Sequence, residues 1–173
     1  AGASQAGTVH LGSDADGLAL SSAALDLGRP AFHDFLLVGQ MATADPTRAP
    51  AGGESVWSYS HLPRGVYDAE TASALAKRMD EAIEAHAPGF HDRVVERWVQ
   101  LPSDMESDDP SLVHGAINGG TAQLHQQLIF RPLPGLGRAE TPVERLYLAG
   151  SSAHPGGGVH GAPGHIAAQA ALN

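Results

Sequence analysis

Residues 146–172, LYLAGSSAHPGGGVHGAPGHIAAQAAL, hold the densest set of groups able to do chemistry. A short apolar run passes through a glycine-rich loop into an alanine-rich helical segment. Glycines let a ligand approach the backbone closely, and the first N–H groups of a helix point outward at its positive end. The stretch therefore reads as a cradle for an anion or cofactor. Histidine is the other reactive type, with ten in the chain. His154, His160 and His165 follow at spacings of six and five, which do not share a helical face, and neither Asp nor Glu lies in the loop. A metal site is not expected from them, nor from His114 and His125. Solvated or core histidines are the default. No Ser-His-Asp or lysine arrangement stands out, and no catalytic residue is assigned.

The elements that must carry this loop are those of a chain of 173 residues with a formal net charge of −9. That length buries the core of one domain, or one and a half. The acidic balance argues against nonspecific binding to nucleic acid or to an anionic membrane. A neutral or hydrophobic small molecule is the expected ligand. Runs such as FLLV at 35–38 and LYLA at 146–149 are far shorter than a bilayer-spanning helix, and no signal-like segment opens the chain. Zero cysteine removes disulfides, thiolate chemistry and Cys-ligated metals, and fits a cytoplasmic location.

TVHLG at 8–12 and DFLLVGQ at 34–40 read as short strands flanking a helix, DADGLALSSAALD. ATADPTRAPAGGE is turn chemistry. SVWSYSH then alternates, which places Trp57, Tyr59 and His61 on one face. The clearest helix starts at Asp68 as N-cap, carries Leu75, Met79, Ala82, Ile83 and Ala87 at three- and four-residue spacing toward a sheet, and stops at PGF. DRVVERWVQLP reads as a strand ended by Pro102, although Val94, Val95, Trp98 and Val99 would also suit a helix turn. The acidic run 104–109 reads as a solvated loop, and LVHGAINGG and TAQLHQQLIFRPLPGLG bracket a short ordered segment.

The closing stretch resembles the C-terminal signature of the FAD-dependent phytoene-dehydrogenase-like oxidoreductases, relatives of the carotenoid desaturases. LVGQMATADPTRAPAG, APGFHDRV and INGGTAQLHQQLIFRPLPGL are similar to that family in the same order, so the likeness runs from about residue 8 to the end. Members open with a dinucleotide-binding βαβ unit carrying G-x-G-x-x-G, for which this chain shows no equivalent.

The resemblance implies an α+β chain in two parts. Residues 1–143 would be part of a substrate-binding domain, a mixed or antiparallel sheet with packed helices. Residues 144–173 would be the C-terminal strand, loop and helix of a Rossmann-like FAD domain whose N-terminal part is the chain's missing partner. Gly150, Ser151 and Ser152 would form the exit from the strand, and His154 and Pro155 would shape the turn. Gly156, Gly157, Gly158 and Val159 would offer backbone N–H groups to the flavin side of FAD or to its pyrophosphate, with His160 and Gly161 on the first helical turn near the ring. Asn118, Gly119, Gly120, Gln123 and His125 would edge the substrate and flavin-ring side, with Arg131 as a structural or cofactor-side cation. The implied reaction is oxidation of a C–H or C–N bond of a hydrophobic substrate by hydride transfer to flavin; peripheral contact with a membrane is left open. Leu146, Tyr147 and Leu148 are expected to be buried, against the chain's own sheet or in a homodimer. A non-catalytic binding domain and a His-based metal binder are the competing readings.

Overall fold

The computed structural model describes residues 4–12, 14–31, 35–66, 68–121 and 123–173. The chain forms two compact units, Ala1–Leu101 and Pro102–Asn173. Asp34 and Ala122, which head or interrupt runs read above as ordered, lie outside the described residues.

In the first unit three strands, β1 (Thr8–Leu11), β2 (Leu36–Gln40) and β3 (Val56–Tyr59), make an antiparallel sheet in the order β1-β2-β3. Helix α1 (Ala15–Asp26) lies between the first two strands in sequence and is capped by Asp14, whose carboxylate accepts the N–H of Gly17 at 2.9 Å. Leu11 opposes Leu36 and Val9 opposes Val38, so the period of two gathers the aliphatic side chains on one face. That face meets α3 (Ala69–His86): Leu36, Val38 and Ile83 are buried, with Leu11, Met79, Ala82 and Phe90 packed around them. The helical period read from Leu75 to Ile83 is thus the buried stripe, whereas Ala87, expected on the same face, is the exposed C-cap that ends the helix. The opposite face carries Trp57, Tyr59 and His61, in ring contact at 5.3 and 5.8 Å. Between β2 and β3 the turn-rich connection makes a helical turn, α2 (Met41–Ala44), and a 3-10 turn at Pro46–Arg48.

Both ends of α3 are fixed by carboxylates. Asp68 accepts the N–H of Thr71 at 2.7 Å, and Glu84 accepts those of His91 at 2.9 Å and Gly89 at 2.7 Å. These backbone hydrogen bonds hold both carboxyls below their ordinary pKa. A depressed folded-state pKa adds stability that is full above the unfolded value, about 4, and is lost as pH falls through the folded value. The melting temperature of the first unit is therefore expected to drop below about pH 5. Replacing Glu84 by glutamine and Asp68 by asparagine, itself a good N-cap, should flatten that acid limb while changing the neutral-pH melt little. Thermal melts followed by circular dichroism between pH 3 and pH 7 check this; an acid limb as steep as in the wild type counts against it.

Two strands expected from the sequence are not formed. Residues 94–101 have no ladder partner among the described residues and run irregularly, with Val95 99% and Trp98 78% exposed. An ion pair between Arg97 and Asp80, 2.8 Å, fastens the stretch to α3 instead. Pro102 does not end a strand but opens a short helix, α4 (Pro102–Asp108), in the second unit. The acidic run read as a loop is therefore mostly helical. At 146–149 a single antiparallel bridge joins Tyr147 to Glu140, supported by the N–H of Leu148 on the carbonyl of Ala139 at 2.8 Å. Leu146 is 52% exposed, while Tyr147 and Leu148 are half-buried, so none of the three is fully buried as expected. One bridge secures only a hairpin, which leaves an apolar edge outward.

The rest of the second unit is built from single 3-10 turns at Val113–Gly115, Leu124–Gln126 and Leu128–Phe130 and from a closing helix, α5 (Ala162–Leu172). Its buried groups include Ala139, Ala153, Ala167 and the side chain of Arg131. Among the described residues no helix is long and apolar enough to cross a membrane.

Candidate functional site

Segments this poor in regular structure need another source of order, and Arg131 supplies it. The side chain is 4% exposed. Its Nε donates to the carbonyl of Gln126 at 2.8 Å, Nη1 to those of Gly119 and Ser151, and Nη2 to that of Thr121. Five donors in a fixed planar fork let one residue tie three backbone segments together. Gly156, with φ +115°, lies against the guanidinium: a Cβ there would stand 3.3 Å from Nε, and the backbone angle itself disfavours any other residue.

The fastening brings Asn118–Gly120 onto the glycine loop. The N–H of Gly119 donates to Ser151 Oγ at 3.3 Å. A Cβ on Gly119 would stand 2.5 Å from that of Ser152, and one on Gly157 would stand 3.1 Å from Asn118 Oδ1 and 3.0 Å from Ser151 Cβ. Beside this contact opens a cleft of about 220 Å³ lined by Ala149, Gly150, Ser151, Gly157, Gly158, Gly161, Pro163 and Gly164. At Gly150 a Cβ would meet nothing within 4 Å.

Helix α5 begins at the floor of the cleft. Gly161, at φ +62°, is its N-cap rather than part of its first turn, and His160 precedes it. Nδ1 of His160 accepts the N–H of Ala162 at 2.9 Å, so a neutral ring carries its proton on Nε2. That nitrogen would stand 2.7 Å from a Cβ on Gly158. Pro163 has no N–H to offer, and intrahelical bonding starts with the N–H of His165 on the carbonyl of Gly161 at 3.1 Å.

Of the residues named from the sequence, Gly150, Ser151, Gly157, Gly158 and Gly161 line the cleft. Ser152 and Gly156 form the contacts behind it, with Asn118 and Gly119 against the loop. His154 turns away, its Nδ1 on the carbonyl of Leu128 at 2.9 Å, with Pro155 following through a cis peptide bond; Val159 is fully exposed. Gly120 packs on the side chain of Gln126. Gln123 and His125 are exposed and do not line the cleft. Sequence reasoning missed Ala149, Pro163 and Gly164 as lining residues, although Gly-Ala-Pro-Gly at a helix start signals a close approach. Among the described residues no three His, Asp or Glu side chains gather as a metal site would require.

The chain is 36% identical over 169 residues to a rat protein named pyridine nucleotide-disulfide oxidoreductase domain-containing protein 2, covering 93% of this chain and 29% of the relative. The mouse protein of the same name is 38% identical over 133 residues, 73% of this chain and 23% of the relative. A phytoene desaturase (neurosporene-forming) from Rhodobacter capsulatus is 29% identical over 130 residues, 72% of this chain and 24% of the relative. The chain is therefore related to oxidoreductases, and it spans less than a third of the length of each of these relatives. No family model matches it, and no solved structure matches it significantly.

Proposed function

We propose that the chain is the C-terminal part of a longer FAD-dependent oxidoreductase of the phytoene-dehydrogenase-like kind, acting on a hydrophobic substrate. The carrying observation is the glycine-lined cleft, with Asn118 and Gly119 fastened against the loop that lines it. The residues fit a flavin at one edge: a Cβ at Gly150 would meet open space, Gly157 and Gly158 let Ser151, Asn118 and His160 pack closely against the wall, and Gly164 lines the opening in the first turn of α5. At about 220 Å³ the cleft suits part of a planar ring, so the adenine side of FAD would rest on the remainder of the longer polypeptide.

When bound, the flavin supplies the hydride acceptor, the substrate giving up a hydride and a proton, and passes the electrons on to a second acceptor. The chain's own residues bind and orient. The backbone of Ser151 and Gly157 would form the wall that the ring meets, with the Asn118 side chain packed against Gly157. The aromatic face of the sheet in the first unit belongs, on this reading, to the substrate part. The exposed run at Leu146 would be covered by the parallel sheet of the longer protein, or in isolation by a second copy of the chain. A cytoplasmic location, with peripheral membrane contact where the substrate demands it, completes the proposal.

The test compares the full-length polypeptide with residues 1–173 alone. The full-length protein is expected to purify with flavin absorbance in the visible, while the isolated chain binds FAD weakly, since it lacks the contacts that offset association entropy. A colourless full-length protein that takes up no added FAD sinks the proposal. Stoichiometric FAD on the isolated chain sinks the half-site reading alone.

A further inference from the structure

Arg131 is buried, yet all four of its hydrogen bonds end on backbone carbonyls. Among the described residues no carboxylate pairs with Arg131. Carbonyl dipoles solvate a guanidinium but leave its charge in place, and a charge withdrawn from water is screened little by solvent or salt. Burying a cation without a counter-charge is among the costliest placements a fold tolerates. The fork accounts for the hydrogen bonds. It does not account for a whole positive charge kept just behind the cleft.

The location does. The guanidinium holds the carbonyl of Ser151, a cleft-lining residue, at 3.2 Å and packs on Gly156, the neighbour of cleft-lining Gly157. One layer of backbone separates the charge from anything seated in the cleft. We propose that Arg131, besides positioning Asn118–Gly120 against the glycine loop, is the fixed positive charge that raises the reduction potential of a flavin held there. The inference rests on the flavin reading above. Two-electron reduction places negative charge on the flavin ring, and a preorganised cation one layer away favours the reduced form over the oxidised one. A stronger electron acceptor is what oxidation of an unactivated C–H bond requires.

Potentials of the flavin bound to the full-length protein, measured by spectroelectrochemical titration, decide the matter. R131M is expected to lower the equilibrium constant for two-electron reduction at least tenfold, about 30 mV for such a couple. R131K keeps the charge but loses the fork, and is expected to shift the potential by less than half as much while loosening flavin retention. A merely structural Arg131 would lower flavin retention in both variants and leave the potential unmoved; that result, or equal shifts in both, overturns the proposal. Should R131M release its flavin, R131K and the wild type still decide: a wild-type potential at or below that of free FAD overturns it, and one above it that R131K preserves supports it. A wild-type protein with no flavin fails before any variant is made, which marks the failure of the underlying reading instead.

Discussion

Replacing Leu36 by alanine is expected to destabilise the N-terminal unit by about 2–5 kcal/mol. Leu36 is wholly buried and sits at the centre of a thin core, with Val38 and Ile83 as its buried neighbours and Leu11, Met79, Ala82 and Phe90 only partly covered. Little surrounding mass is available to collapse into the cavity, so the loss should fall in the upper half of that range. Against a total stability on the order of 5–15 kcal/mol, that is a large fraction. Leu20, on α1 and 63% exposed, makes the control: its alanine variant should stay within about 0.5 kcal/mol of the wild type. Urea unfolding monitored by far-ultraviolet circular dichroism compares the two, and a Leu36→Ala loss below about 1 kcal/mol would place the core elsewhere.

Leucine in place of Gly150 should have the largest effect on ligand binding with the least effect on folding. The position lines the cleft and a side chain there meets no atom within 4 Å, so the new group fills space the ligand would use without pressing on the protein. A loss of at least tenfold in FAD affinity is expected in the full-length protein, about 1.4 kcal/mol, with the melting temperature of the flavin-free form nearly unchanged. Gly157→Leu is the less informative variant, because its Cβ would crowd Ser151 and Asn118 and so disturb the loop itself. Flavin fluorescence titration reads the affinity. Wild-type affinity in Gly150→Leu would remove the cleft from the cofactor site.

What the sequence discloses is what local chemistry encodes. Asp68 as a cap, the stripe ending at Ile83 and the alternation through Trp57 and Tyr59 were each legible because a helix and a strand have fixed periods and each end has its own preferred residues. The runs at 94–101 and 146–149 show the opposite case. Their valines and leucines favour extended backbone, but a strand is completed only by a partner, and a partner leaves no mark on the strand's own residues. The partners of Arg131 were hidden for a related reason: its hydrogen bonds reach back 5 to 12 residues and forward 20, to carbonyls that every residue type carries alike. The glycine loop could be picked out by composition, whereas its division into cleft lining, backing contacts and exposed positions could not.

The imidazole cap on α5 narrows what the cleft can recognise. Of the first three helical positions, Ala162 spends its N–H on His160 and Pro163 has none, which leaves Gly164, a cleft-lining residue, as the one of the three that can donate to a ligand. A tetrahedral phosphate is held by several converging N–H groups, whereas one donor at the end of a helix dipole suits one acceptor oxygen in the plane of a ring. If FAD is the ligand, the start of α5 would meet a ring carbonyl rather than the pyrophosphate.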